Sequence, residues 1–289
     1  MSENNNSQND NSQPQNNEKY SELKNELNRT KDEMKFLANA FNKMTKSLKK
    51  MQHEKEEFVS MISHELKTPL VPIKGYVDLL LSEQLGTLNE KQKSKLEIIS
   101  SSADVLRRLI SDLLDVEKIE LRALKFVFEE NDISKVINDT VTKLKPEFDK
   151  HNISLGLNIS PNLMCDCDSK RIDQVLTNLI NNSIDFIPKS EGKITISTSS
   201  DEEFIKITVA DNGAGIPEDK LDKIFVKFYQ IDSTLTREYG GTGLGLSVCK
   251  GIVENHGGKI WVESKLGHGT ELKFTLLKKH DSKKIELKL

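Results

Sequence analysis

The chain has 289 residues, enough for about two domains, with 30% charged and only 6% aromatic side chains. A formal net charge of −3 supplies no global positive field, which disfavours binding to nucleic acid or to an anionic membrane surface. Cys165, Cys167 and Cys249 are too few and too scattered for a disulfide framework or a zinc site. They read as free thiols of a reducing cytosol, with Cys165 and Cys167 on a buried or half-buried strand.

The opening MSENNNSQNDNSQPQNN lacks the basic start and apolar centre of a signal peptide. It is a polar, Asn-rich tract that cannot bury enough surface to fold, so residues 1–17 are expected to be disordered. No apolar run approaches the roughly 20 residues that span a bilayer, so no membrane span and a cytoplasmic location are expected.

From Leu23 the apolar positions are Leu27, Met34, Leu37, Phe41, Met44, Leu48, Met51, Phe58 and Ile62, with Thr30 and Lys55 in the two remaining places. Alternating steps of four and three are the period of a left-handed coiled coil, whose seam requires a partner, so a parallel homodimer is expected. The stripe continues through Leu66, Ile73, Val77 and Leu80, into SHELKTPLVPIKG. At about 100° per residue His64 lies about 200° from Ile62, on the face turned away from the seam, with Glu65 beside it. Pro69 has no backbone donor and leaves the Glu65 carbonyl unpaired, so a bend or loosening is expected after the histidine.

After SEQLGTLNE a second amphipathic run carries Leu96, Ile99, Ala103, Leu106, Ile110 and Leu113 at helical spacing. Two helices joined by a short turn make a hairpin. Two hairpins about a dimer axis make a four-helix bundle, with Asp104, Arg107, Arg108 and Asp112 on its solvated outer face.

Beyond LLDVEKIELRAL helices and strands interleave. FVFEEND, ISLGLNI, KITISTS, EFIKITVAD, GKIWVES and TELKFTLL read as strands; ISKVINDTVTKLKPEFDKH and DSKRIDQVLTNLINNSIDF read as helices. This is the pattern of one α/β sandwich with its own core.

Three features there carry chemistry. In NLINNSIDF, Asn178, Asn182 and Asp185 share one helix face, where amide oxygens suit a hydrated Mg²⁺ or serve as capping and packing groups. In DNGAGIP, Asp211 ends a strand and can accept a hydrogen bond from an exocyclic amine such as that of adenine; a plain β-turn after a strand has the same look. YGGTGLGLSVCKGIVENHGG runs from glycines into a helix whose amides face phosphates, or is a hinge. It lacks the GK[ST] of a P-loop and follows no strand as a Rossmann fingerprint would. The polar stretch KLDKIFVKFYQIDSTLTREYG between the last two has the length of a lid or binding loop.

In order, SHELKTPL, NLINNSIDF, DNGAGIP, IFVKFYQID, GGTGLGL and GHGTELKF resemble the successive motifs of sensor histidine kinases of two-component systems, over residues 58–277. The resemblance implies a helical-hairpin dimer forming a four-helix bundle, followed by an ATP-binding α/β sandwich of the histidine kinase, gyrase and Hsp90 type. It implies His64 as phosphoacceptor, Glu65 as adjacent base, and Thr68 as the residue that orients water when phospho-aspartate on the partner is hydrolysed. Asn182 is similar to the Mg²⁺ ligand and Asn178 supports it; Asp211 reads the adenine, Gly213 and Gly215 shape the pocket, and Thr270 backs Asp211. Phe225 and Phe228 match the aromatic pair at the lid base. Gly241, Thr242, Gly243, Leu244 and Gly245 match the phosphate-cradling segment, with Arg237 among the nucleotide-binding residues. ATP and Mg²⁺ are the implied cofactors, a response regulator receiver domain the implied partner, and protein histidine kinase the implied activity.

The implied domains are a disordered tail (1–17), a coiled coil (18–57), a dimerisation and phosphotransfer domain (58–122), a catalytic ATP-binding domain (123–279) and a polar tail (280–289). DEMKFLANAFNKMTKSLKKM is similar to the second helix of a HAMP signal-relay module. Without the first such helix or a membrane segment, the chain reads as a soluble variant or a cytoplasmic piece of something larger. It carries no receiver domain, so the phosphoryl group is expected to leave for another protein.

The chain departs from the family at Asp185, where a Lys or Arg often reaches a phosphate. Either Asp185 points away, or Lys189, Lys227 or Arg237 supplies the charge, and nucleotide affinity depends on which. A gyrase- or Hsp90-type ATPase would have no need of an exposed His-Glu pair. A scaffold or phosphatase with weakened ATP use would still dimerise and bind a regulator.

Overall fold

The computed structural model describes residues 13–188, 190–231 and 242–279. The chain divides into two units, the first ending at Glu57 and the second beginning at Phe58.

Helix α1 spans Gln13–Leu81. Its first residues, 13–17, belong to the tract expected to be disordered. Pro14 in the first turn is compatible with a helix, because a donor there has no intrahelical acceptor. In the first unit the exposed faces are tied by spaced pairs such as Arg29 with Glu33 at 3.2 Å and Lys50 with Glu54 at 3.5 Å. The seam residues Leu27, Met34, Leu37, Phe41, Met44, Leu48 and Met51 are each more than half exposed in the single chain.

In the second unit the end of α1 and helix α2 (Glu90–Glu120) form the hairpin. A capping box starts α2: Asn89 Oδ1 accepts the Gln92 amide at 2.9 Å and Gln92 Oε1 accepts the Asn89 amide at 3.0 Å. Val59 and Leu70 of α1 pack with Ile110 and Leu114 of α2. Lys74 reaches across to Asp104 at 2.9 Å while also holding Asp78 at 3.2 Å. The stripe read from the sequence is divided: Val77 on α1 and Ala103 and Ile110 on α2 are buried, while Phe58, Leu66 and Ile73 on α1 and Ile99, Leu106 and Leu113 on α2 stay exposed. The contact with α2 thus covers only part of the apolar surface of α1. The helix is continuous through Pro69 and Pro72. Loss of two backbone donors does not end a helix whose other rungs remain.

The α/β part begins with β1 (Glu129–Asp132), α3 (Ile133–Lys150), β2 (Ser154–Asn158), β3 (Met164–Cys167) and α4 (Ser169–Phe186). Strands β4 (Lys193–Ser200) and β5 (Phe204–Asp211), a short 3-10 helix (Glu218–Lys223), α5 (Gly245–Asn255), β6 (Ile260–Ser264) and β7 (Thr270–Leu277) follow. The main sheet has the order β2-β4-β5-β7-β6, parallel between β2 and β4 and antiparallel elsewhere, while β1 pairs with β3. Alternate residues Ile194 and Ile196, Ile205, Ile207 and Val209, and Leu272, Phe274 and Leu276 are buried against Ile172, Leu176, Leu179 and Ile180 of α4 and Ile252 of α5. This one-faced burial makes a two-layer sandwich.

Strand β1 is shorter than FVFEEND suggests. Phe126 meets the His256 ring edge-on at 5.4 Å and Phe128 meets it tilted at 4.9 Å, and the Val127 amide donates to Asp168 Oδ2 at 3.0 Å rather than to a ladder. His256 is buried; its Nε2 accepts the Asp168 amide at 3.0 Å and Nδ1 donates to the Ile252 carbonyl at 2.8 Å. All three cysteines carry free, buried thiols, and burial pushes that of Cys249 up to about 12.

Helix α2 ends against the sandwich. Asp115 Oδ2 accepts from Arg171 Nη1 at 3.0 Å and from Gln174 Nε2 at 2.8 Å, both on α4. Asp112 is therefore not on a solvated outer face as expected: it is half-buried, and burial lifts its carboxyl to about 6, with Asp115 adding to the rise and Arg108 opposing it.

Candidate active site

His64 stands on the exposed surface of α1, one to two turns from the Val59 and Leu70 core positions. The Thr68 hydroxyl, one turn on, donates to the His64 carbonyl at 2.7 Å and lies 3.5 Å from Nδ1. Among the described residues Nε2 has no hydrogen-bond partner. Glu65 is exposed and, among the described residues, makes no hydrogen bond to the imidazole.

Asp211 closes β5, and three donors converge on its carboxylate. Ser183 Oγ reaches Oδ2 at 3.1 Å, and the amides of Gly213 and Thr270 reach Oδ1 at 2.8 and 3.2 Å. Burial raises its pKa while these three bonds oppose the rise. Thr270 thus acts through its backbone, its hydroxyl instead meeting Ser264 Oγ at 3.0 Å. Gly213 has no room for a side chain, since a Cβ would stand 2.6 Å from the Phe186 carbonyl oxygen. Gly215, at φ +70°, presses on the Lys265 backbone in a region that favours glycine.

On α4 Asn178 Nδ2 points at the Gly245 carbonyl, 3.5 Å away. Asn182 is half-exposed on the same face and its amide has no hydrogen-bond partner among the described residues. Burial lifts Asp185 to about 6, with Arg108 of α2 opposing the rise. Phe225 packs on the core, whereas Phe228 is 62% exposed with φ +61°, unusual for an aromatic residue. Its amide donates to the Gly243 carbonyl at 2.9 Å, joining the two sides of the intervening segment. Thr242 Oγ1 accepts the Leu244 amide at 3.1 Å, Leu244 is buried, and Gly245 opens α5 without a side-chain cap, leaving first-turn amides available to an anion. Arg237, Gly241 and Lys189 lie outside the described residues.

The structure therefore gathers Asn178, Asn182, Asp211, Gly213, Gly215, Thr270 and Gly243 to Gly245 around the edges of α4, β5 and α5. Sequence reasoning missed Ser183, Ser264 and Gly269, whose backbone crosses that of Asp211 at φ +88°. Ser183 had a signal: a hydroxyl among the apolar positions of α4 that face the core.

An uncapped helix start and a carboxylate held by three donors, both set against α4 and joined to a helical hairpin that displays a histidine, define a phosphoacceptor hairpin carrying its own ATPase-type domain. Residues 54–122 match the model of the His Kinase A phospho-acceptor domain, and residues 167–280 that of the histidine kinase-, DNA gyrase B- and HSP90-like ATPase. Sensor histidine kinase WalK of Bacillus subtilis is 34% identical over 78% of this chain and 37% of its own length. Circadian input-output histidine kinase CikA of Synechococcus elongatus is 35% identical over 75% of this chain and 29% of its own. Full-length ShkA in complex with AMPPNP is similar in structure, with a TM-score of 0.64 and 25% identity over 78% of this chain and 46% of that one. Histidine kinase ThkA in complex with the response regulator protein TrrA gives a TM-score of 0.54 and 26% identity over 77% of this chain and 61% of that one. The chain belongs to the sensor histidine kinases, and it spans less than two fifths of these curated relatives. Among the described residues no helix is long and apolar enough to cross a membrane.

Proposed function

We propose that this chain phosphorylates itself on His64 from ATP and passes the phosphoryl group to an aspartate of a response regulator. The observation that carries the reading is the exposed His64 ring, with Nδ1 on the Thr68 side, on the same chain as the Asp211 carboxylate held by three donors. The solved relatives bound to AMPPNP and to a response regulator support the same two substrates.

Asp211 accepts the adenine amino group, and its three internal donors hold the carboxylate in place. The amides at the start of α5 meet phosphate oxygens. Asn182, uncommitted and on the polar face of α4, has the oxygen-donor chemistry that suits Mg²⁺, which neutralises phosphate charge when bound. In the transfer, His64 Nε2 forms the new P–N bond as the bond between the γ-phosphorus and the bridging oxygen breaks, and ADP leaves. Glu65, which among the described residues makes no hydrogen bond to the ring, takes up the proton that leaves Nδ1 once its side chain turns toward the imidazole, and catalysis rests on positioning and charge neutralisation. The exposed Phe58, Leu66, Ile73, Ile99, Leu106 and Leu113 fit a second copy, giving the dimeric four-helix bundle, with the upstream seam as its parallel coiled coil. Residues 18–57 then deliver the input, 58–122 present the histidine and 123–279 bind ATP.

Thr68 favours a second activity of the same site, phosphatase action toward the regulator, because its hydroxyl lies beside the imidazole where water would be oriented.

The purified chain incubated with Mg²⁺ and γ-labelled ATP is expected to acquire acid-labile label, absent from His64→Gln and Asn182→Asp. Nucleotide binding without label would overturn the kinase reading.

A further inference from the structure

Around the phosphates the polar face of α4 offers two amides and a carboxylate, Asn178, Asn182 and Asp185; the cation on that face, Arg171, lies about two turns earlier and is held by Asp115 at 3.0 Å. Phosphoryl transfer depends on cationic neutralisation of charge on the transferred group. The charge of Arg108 opposes the rise of the Asp185 carboxyl, and Lys220 Nζ donates to the Ile231 carbonyl at 3.2 Å.

Lys227 sits one residue before Phe228, whose backbone packs on the glycine segment. A Cβ on Gly243 would stand 2.8 Å from the Phe228 carbonyl carbon and 3.0 Å from the Tyr229 oxygen. The Lys227 ammonium is paired with Glu120, the last residue of α2. Two anchors on the same end of α2 bring Glu120 there: Asp115 held by Arg171 and Gln174, and Ile119 seated over Gly251. The two side chains are 32% and 49% exposed, so the pair is weak and a phosphate can displace the carboxylate.

We propose that Lys227 is a phosphate-binding residue of the nucleotide site and that Glu120 masks it while α2 rests on the sandwich. The inference rests on the nucleotide-site reading above. It supplies the charge missing at Asp185 and makes ATP binding and the seating of α2 compete for one ammonium. Movement of α2 thereby reaches the nucleotide through a single side chain.

The test is calorimetric titration of the full chain with Mg²⁺ and a non-hydrolysable ATP analogue. Glu120→Gln, Lys227→Gln and the double variant are compared with wild type, and thermal melts check folding. Lys227→Gln is expected to weaken binding about tenfold, as for a lost charge-assisted hydrogen bond. Glu120→Gln is expected to tighten it about threefold, and more at low salt, because a weak competing pair is removed. The double variant should bind like Lys227→Gln. Unchanged affinity in either single variant, or tightening by Glu120→Gln when Lys227 is already replaced, overturns the masking. A wild-type chain that binds no analogue overturns the nucleotide-site reading, and the masking with it.

Discussion

Ile119 of α2 lies over Gly251 of α5 so closely that a Cβ on the glycine would stand 2.6 Å from its Cγ2. A glycine inside a helix costs about 1 kcal/mol relative to alanine, so the notch trades helix stability for the seating of Ile119. Gly251→Ala is expected to unseat α2, raising hydrogen exchange over 115–120. Adding Ile119→Ala removes the clash and lets the helix regain about 1 kcal/mol, seen as a higher urea midpoint for the double variant than for Ile119→Ala. A Gly251→Ala effect on the midpoint that is the same in the wild-type and Ile119→Ala backgrounds would show that the two residues do not touch.

The Asp211 carboxylate is both a recognition group and a structural acceptor. Replacing it with Ala strands the Gly213 and Thr270 amides and the Ser183 hydroxyl, at about 1–3 kcal/mol. Asp211→Asn retains one acceptor oxygen and is expected to lose less stability than Asp211→Ala while also losing nucleotide binding. Chemical denaturation and calorimetric titration separate the two effects.

Burial holds Asp112 and Asp185 at about 6, above the ordinary 3.8. The folded chain then binds more protons than the unfolded one between about pH 4 and 6, and the stability tied to these groups falls as pH rises through that window. Asp112→Asn is expected to stabilise the chain at pH 7.5 by about 1 kcal/mol, a figure reduced for the solvent that still reaches the group, and to have little effect at pH 4. Urea midpoints at the two pH values check it; a gain of the same size at both would refute the burial origin.

His256 joins three segments through its ring nitrogens and its ring contacts with Phe126 and Phe128. His256→Phe keeps the aromatic contacts but strands the Asp168 amide, at about 1–3 kcal/mol, while the Ile252 carbonyl keeps the backbone amide of residue 256. The expected signature is a lower melting temperature with rapid hydrogen exchange at the start of α4, where Asp168 caps the helix through the Arg171 amide.

The order of elements was legible because periodicity is local: steps of three and four residues mark a helix, and alternation marks a strand, whatever lies across from them. The polar face of α4, the Asp211 turn, the glycines before α5 and the exposure of His64 were readable for the same reason, each lying within a few residues of chain. The departure at Asp185 was equally plain in the sequence. Tertiary structure alone decided which face of α1 meets α2, because Val59 and Leu70 are no more apolar than Phe58 and Leu66. It also decided that Asp112 leaves solvent, that Thr270 serves Asp211 by its amide, and that Lys227 meets Glu120. Burial, pKa and ion pairing depend on what distant segments bring to a point in space, and spacing along the chain carries no record of that.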